Sequence, residues 1–169
     1  VNLKAAIPAV AAATLFVAPA FARDSLGIFE SWGAFRDPAT ATSGPRCYAI
    51  AKAQPSRLAR DYEPYATVAI WPRQAIRNQV HWRLSRKLAP GSRIVLSIGN
   101  QRFDLTGGGG DAWTVDRRMD AAVVAAMRSA QSMTVSARGA SGGGFSNTWQ
   151  LAGAATAMDA AALGCAQLR

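Results

Sequence analysis

The sequence predicts a mainly β fold: an antiparallel β-sandwich or curled sheet with one packed amphipathic helix over residues 116–130 and a second helix at the C-terminus. Three observations predict it. Short runs alternate apolar and polar residues with period two, as in Val80, Trp82 and Leu84 against His81, Arg83 and Ser85, which is the pattern of a strand with one buried face. One stretch breaks that period: Met119, Val123, Ala126, Met127 and Ala130 fall on a single stripe of a 3.6-residue helix. Directly after it Met133, Val135 and Ala137 alternate with Thr134, Ser136 and Arg138, so the helix lies across a sheet rather than standing free.

Taken in order, residues 1–22 have the layout of a Sec-type signal peptide. Lys4 supplies the positive end, Ala5 to Pro19 is a nearly unbroken apolar run, and Ala20-Phe21-Ala22 is a small-x-small site, placing cleavage before Arg23. The apolar run is short of the roughly 20 residues a membrane-spanning helix needs, and Pro8 and Pro19 interrupt it. Residues 23–169 then form a single β-rich domain, long enough to bury a real core without metals.

Leu26 to Arg36 reads as an opening strand interrupted near Gly33, and Asp37 to Pro45 as a loop of turn-forming residues. Arg46 to Ala51 alternates. Lys52 to Pro64 is a polar loop flanked by proline, and Tyr65 to Trp71 is a strand stopped by Pro72. Arg73 to Asn78 turns the chain into the strand Gln79 to Leu88. Gly99-Asn100 marks a hairpin between Arg93–Gly99 and Gln101–Leu105. Gly107 to Gly110 is a flexible link into Ala112 to Val115. Asp116 suits the N-cap of the helix, because its carboxylate accepts from the orphan amides of the first turn. Gly139 to Gly144 joins Met133–Arg138 to Asn147–Leu151. Met158, Ala161, Ala162 and Cys165 then recur at helical spacing.

Two cysteines, Cys47 and Cys165, are present. In an oxidising compartment an even pair forms a disulfide rather than two independent buried thiols. The five tryptophans, Trp32, Trp71, Trp82, Trp113 and Trp149, each fall in a strand-like run. One per strand is what a sandwich core requires, so all five are expected inside. Stacking platforms for single-stranded nucleic acid are the competing use of Trp71 and Trp82. Export argues against it, and no nucleic-acid partner is expected.

The formal net charge is +9, and it is unevenly placed. Between Glu63 and Asp104 there is no acid, while Arg73, Arg77, Arg83, Arg86, Lys87, Arg93 and Arg102 all fall in that window. This concentrates the positive field and makes these seven side chains a candidate anion-binding face.

Catalytic and cofactor signals are weak. His81 is the only histidine, and a catalytic base there needs an orienting carboxylate and a nucleophile. Two cysteines and one histidine cannot furnish the four ligands of a structural zinc site. Gly107 to Gly110 lacks the Gly-Lys-Ser/Thr ending of a phosphate loop. No G-x-S-x-G surrounds Ser25, Ser97 or Ser136. Asp104, Asp111, Asp116 and Asp120 lack the spacing of a calcium loop and fit helix capping better. No catalytic residue, metal or cofactor is assigned.

From Trp32 to Cys165 the chain resembles the invasion-associated locus B family of exported bacterial proteins. The resemblance rests on the signal peptide, Trp32-x-x-Phe35 followed by RCYAIA from Arg46, the strand ending in Trp71-Pro72, and GSRIVLSIG from Gly91. The helix after Trp113 and the strand Thr148-Trp-Gln-Leu-Ala-Gly153 before an alanine-rich helix complete it. It implies an all-β sandwich with a packed helix, an exported protein and an invasion phenotype, with no catalytic residues to carry over. The expected function is that of a non-enzymatic periplasmic or envelope protein. It binds an anionic component, such as a membrane surface or lipopolysaccharide, or an envelope protein, through the basic face. Two alternatives stand beside it: an exported hydrolase using His81, and a chaperone-like or structural partner with an apolar patch beside the Gly142 loop.

Overall fold

A computed structural model describes residues 23–40 and 42–166; the expected signal peptide lies outside the described residues. Among the described residues the chain is mainly antiparallel β, with ten strands in one open sheet, two α-helices and a short 3-10 turn at Pro72–Gln74. The strands are β1 (Asp24–Phe29), β2 (Trp32–Asp37), β3 (Arg46–Lys52), β4 (Tyr65–Trp71), β5 (Ile76–Arg83), β6 (Ile94–Ile98), β7 (Gln101–Gly108), β8 (Asp111–Trp113), β9 (Ser132–Arg138) and β10 (Gly144–Gln150). Helix α1 spans Arg117–Met127 and α2 spans Ala154–Ala166. The spatial order is β1-β2-β3-β4-β5-β8-β7-β6-β9-β10. No described helix is long and apolar enough to cross a membrane.

Strand β7 turns the corner of the sheet. Its first half, Gln101–Leu105, pairs with β6, and its second half, Thr106–Gly108, pairs with β8. Gly107 permits this, since a Cβ there would run into the Asp111 carbonyl. The inner faces on both sides of the corner meet in one core containing Trp32, Val80, Trp82, Leu96, Met133, Val135 and Trp149. Helix α1 packs on β5 and β6, and α2 lies across β1 to β4.

The opening segment differs from the single interrupted strand expected of it. Glu30 adopts a left-handed conformation (φ 51°), and the chain folds back there as the β1–β2 hairpin. Helix α1 is capped as expected: the Asp116 side chain accepts from the Met119 amide at 2.8 Å. The Gly107–Gly110 segment is no loose link, because it forms the end of β7 and the turn into β8. Cys47 in β3 and Cys165 in the last turn of α2 form a disulfide, which fastens the C-terminal helix to the sheet and suits an oxidising, exported location.

Candidate binding face

Strand β5 lies between β4 and β8, and its register builds two adjacent rows on the outer face of the sheet. One row runs Tyr65, Arg83, Asp111, Gly108; the next runs Thr67, His81, Trp113, Thr106. The alternate residues Val80, Trp82 and Ala112 point inward and are fully buried. Period-two alternation therefore delivers His81, Arg83, Asp111 and Trp113 to one surface.

These groups hold one another. His81 Nε2 and Asp111 Oδ1 are 2.9 Å apart in a hydrogen bond, and Arg83 donates to Asp111 Oδ2 at 2.5 Å. The Arg83 guanidinium lies over the Tyr62 ring, 3.9 Å from its centroid. Tyr65 meets the His81 ring edge-on at 5.8 Å, and Trp113 lies tilted against its other side at 5.1 Å. Gly110 leaves room for Tyr62, since a Cβ there would overlap that ring.

His81 thus has the orienting carboxylate that a catalytic base needs. Asp111, however, also carries Arg83, and among the described residues no hydroxyl or thiol is hydrogen-bonded to the imidazole. Both cysteines are consumed in the disulfide. The arrangement fixes these polar groups in place, and Thr67, which faces His81 across the β4–β5 pair, is not hydrogen-bonded to it.

Three of the expected core tryptophans, Trp32, Trp82 and Trp149, are fully buried. Two are not in the core. Trp113 is 38% exposed, because Ala112 takes the inward position of the short strand β8. Trp71 is half-buried at the end of β4, on the outer face, with the Arg46 guanidinium 5.3 Å from its ring centroid.

The seven cations of the acid-free window do not share one face. Antiparallel strands carry them to opposite ends of the sheet: Arg73, Arg77 and Arg102 beside the β4–β5 and β6–β7 turns, and Arg83, Arg86, Lys87 and Arg93 toward the other end. Two of the second group are neutralised, Arg83 by Asp111 and Arg93 by Asp104, whose Oδ1 is 2.7 Å from Arg93 Nε. The guanidinium of Arg93 holds the Asp104 carboxyl below its ordinary range. Asp104 and Asp111, expected near the helix start, are therefore partners of outer-face arginines.

Folding adds a cation that the window omitted. Residues 86–89 run beside 138–142: the Ala89 amide donates to the Arg138 carbonyl at 2.9 Å, and the Ala140 amide donates to the Lys87 carbonyl at 2.8 Å. Arg86 donates to Ser141 Oγ and the Gly142 carbonyl and covers the Phe145 ring. Arg86, Lys87 and Arg138 form no ion pair with another described residue, although Asp61 accepts from the Lys87 amide nearby. The Gly139–Gly144 loop carries none of the large exposed apolar side chains, which are Ile28, Leu58, Trp113, Val115 and Leu163 among the described residues.

At the opposite end Asp37 accepts from Arg23 Nε at 2.9 Å and Arg46 Nε at 2.8 Å. Burial pushes its carboxyl up, but the two guanidinium groups outweigh that and hold it below the usual carboxylate range. These side chains, with Trp71, Thr40 and Ser43, line a cavity of about 450 Å³. No family model, curated protein or solved structure matches this chain.

Proposed function

We propose that this chain is a non-enzymatic, exported cell-envelope protein of the invasion-associated locus B type. It binds an anionic envelope component, phospholipid headgroups or lipopolysaccharide phosphates, through the loop end built on Arg86, Lys87 and Arg138. The observation that carries this reading is their placement: three cations on two cross-bonded segments, none in an ion pair with another described residue, with the Asp61 carboxylate held by the Lys87 amide rather than by a side chain. The disulfide supports the compartment. Each basic residue near an anionic membrane contributes about 1 kcal/mol, so Arg86→Gln, Lys87→Gln and Arg138→Gln together should weaken binding roughly 100-fold. The test is sedimentation with phosphatidylglycerol–phosphatidylcholine vesicles, with phosphatidylcholine alone as control and lipopolysaccharide as a second probe. Binding should fall steeply with salt, because exposed charges are screened within ~8–10 Å at physiological ionic strength. Binding of the triple variant equal to that of the unaltered chain, or no response to salt, refutes the proposal.

A further inference from the structure

We propose a second site, separate from the loop end: the outer face of β4, β5 and β8 takes a neutral polysaccharide chain. The first observation is the exposure of Trp113, 38% of a tryptophan left open beside Val115, itself 58% exposed. An indole left partly open on a sheet face is a flat, electron-rich surface on which a ligand can stack. The second is the company it keeps. Tyr65 and Trp113 flank His81 on strands two spacings, ~9.6 Å, apart and in neighbouring rows of the sheet, a diagonal longer than one sugar ring. The third is charge. Arg83 and Asp111 pair with each other, and His81 is bonded to the same carboxylate, so the centre of this face has fixed donors and acceptors already engaged with one another, while the exposed Lys52 stands at its edge, opposite Tyr65 on β3.

That combination selects the ligand class. The electron-rich face of an indole or phenol attracts the C–H groups that line the flat side of a sugar. A few convergent polar groups, held by one another, orient its hydroxyls. A phosphate or carboxylate gains little from Arg83, already paired, and would be released from Lys52 at the edge by salt, while an apolar peptide would strand the Asp111–Arg83–His81 network out of water. A polyhydroxyl chain meets both halves of the surface.

The experiment is retention on amylose, cellulose and chitin beads, with and without high salt. The unaltered chain should be retained on at least one of the three, and salt should not release it. Trp113→Ala should weaken retention at least roughly tenfold, the loss typical of a central aromatic anchor, and Trp113→Phe should restore part of it. Trp113→Ala removes a ring that is mostly covered, so its melting temperature should fall by a few degrees while its far-ultraviolet circular dichroism spectrum matches that of the unaltered chain, and Trp113→Phe should restore the melting temperature. Arg86→Gln, Lys87→Gln and Arg138→Gln should bind the beads normally, which separates this site from the loop end. Absence of retention on all three polymers, release by salt, or full retention of Trp113→Ala overturns the proposal.

Discussion

Replacing Cys47 and Cys165 together by alanine tests how much of the fold's stability resides in its one covalent cross-link. The bridge joins residues 118 apart in sequence. In the chain-entropy description, closing a loop of that length removes about 16 cal/mol/K from the unfolded chain, or ~5 kcal/mol at 25 °C. A domain of roughly 150 residues unfolds with an entropy near 0.3 kcal/mol/K, so the loss corresponds to a fall in Tm of about 15 °C. That figure is a ceiling, since any strain in the native bridge is relieved by the change. Both sulfurs are buried, and alanine avoids placing a new hydroxyl there. The assay is thermal unfolding by circular dichroism, with the reduced unaltered chain as a control that should match the variant. Because the effect acts on the unfolded chain, the native spectrum should not change. A drop below about 3 °C, which is roughly 1 kcal/mol, or a variant whose native spectrum is altered, would refute the reasoning.

Three further outcomes follow from particular contacts. Asp37 has its folded carboxyl lowered by Arg23 and Arg46 despite burial, so its contribution is present above the unfolded value near 3.9 and is lost as pH falls below it. Asp37→Asn should therefore lower stability at neutral pH and flatten the decline in Tm below about pH 4; an unchanged acid profile would contradict this. Asp120 is buried and accepts from the Val80 amide at 2.9 Å and from Thr114 Oγ1 at 2.6 Å. Asp120→Ala strands that amide and should cost about 1–3 kcal/mol by urea unfolding, and a loss within error of zero would show that water replaces the carboxylate. Gly153 sits at φ 84°, and a Cβ there would overlap the Phe29 carbonyl. Gly153→Ala should lose at least ~1–3 kcal/mol, and a variant as stable as the parent would mean that the hairpin tip yields freely.

Much of this architecture was legible in the residue order. The stripe from Met119 to Ala130 marked α1, Asp116 marked its cap, and the alternation around Trp82 gave the correct inward set. The Cys47–Cys165 pairing follows from having two cysteines and the oxidising compartment that the N-terminal sequence leads one to expect. What failed depended on strand pairing. The preference of tryptophan for interiors points Trp113 to the core, yet in Asp111-Ala112-Trp113 the small residue faces Trp82 and the large one faces His81. Asp111 is thirty residues from His81, and only the β5–β8 register joins them. The acid-free window looked like a single face, but a linear run of cations says nothing of which end of an antiparallel strand each one occupies. Arg138 lies outside that window and reaches Lys87 only through the pairing of two distant loops.

The open sheet has two terminal strands, and neither offers an easy template to a neighbouring copy. Along β10, the Thr148 carbonyl is taken by the Gln54 amide, and just beyond the strand the Ala152 carbonyl is taken by the Ser31 amide. The Gln150 carbonyl accepts from the Trp32 indole. At the far side, β1 breaks register between Ser25 and Gly27 and carries Asp24 at its start. Interrupted edges of this kind discourage intermolecular strand addition. A chain that folds and forms its disulfide among many copies of itself gains from that arrangement, because its sheet edges are already engaged or interrupted where strand addition would begin.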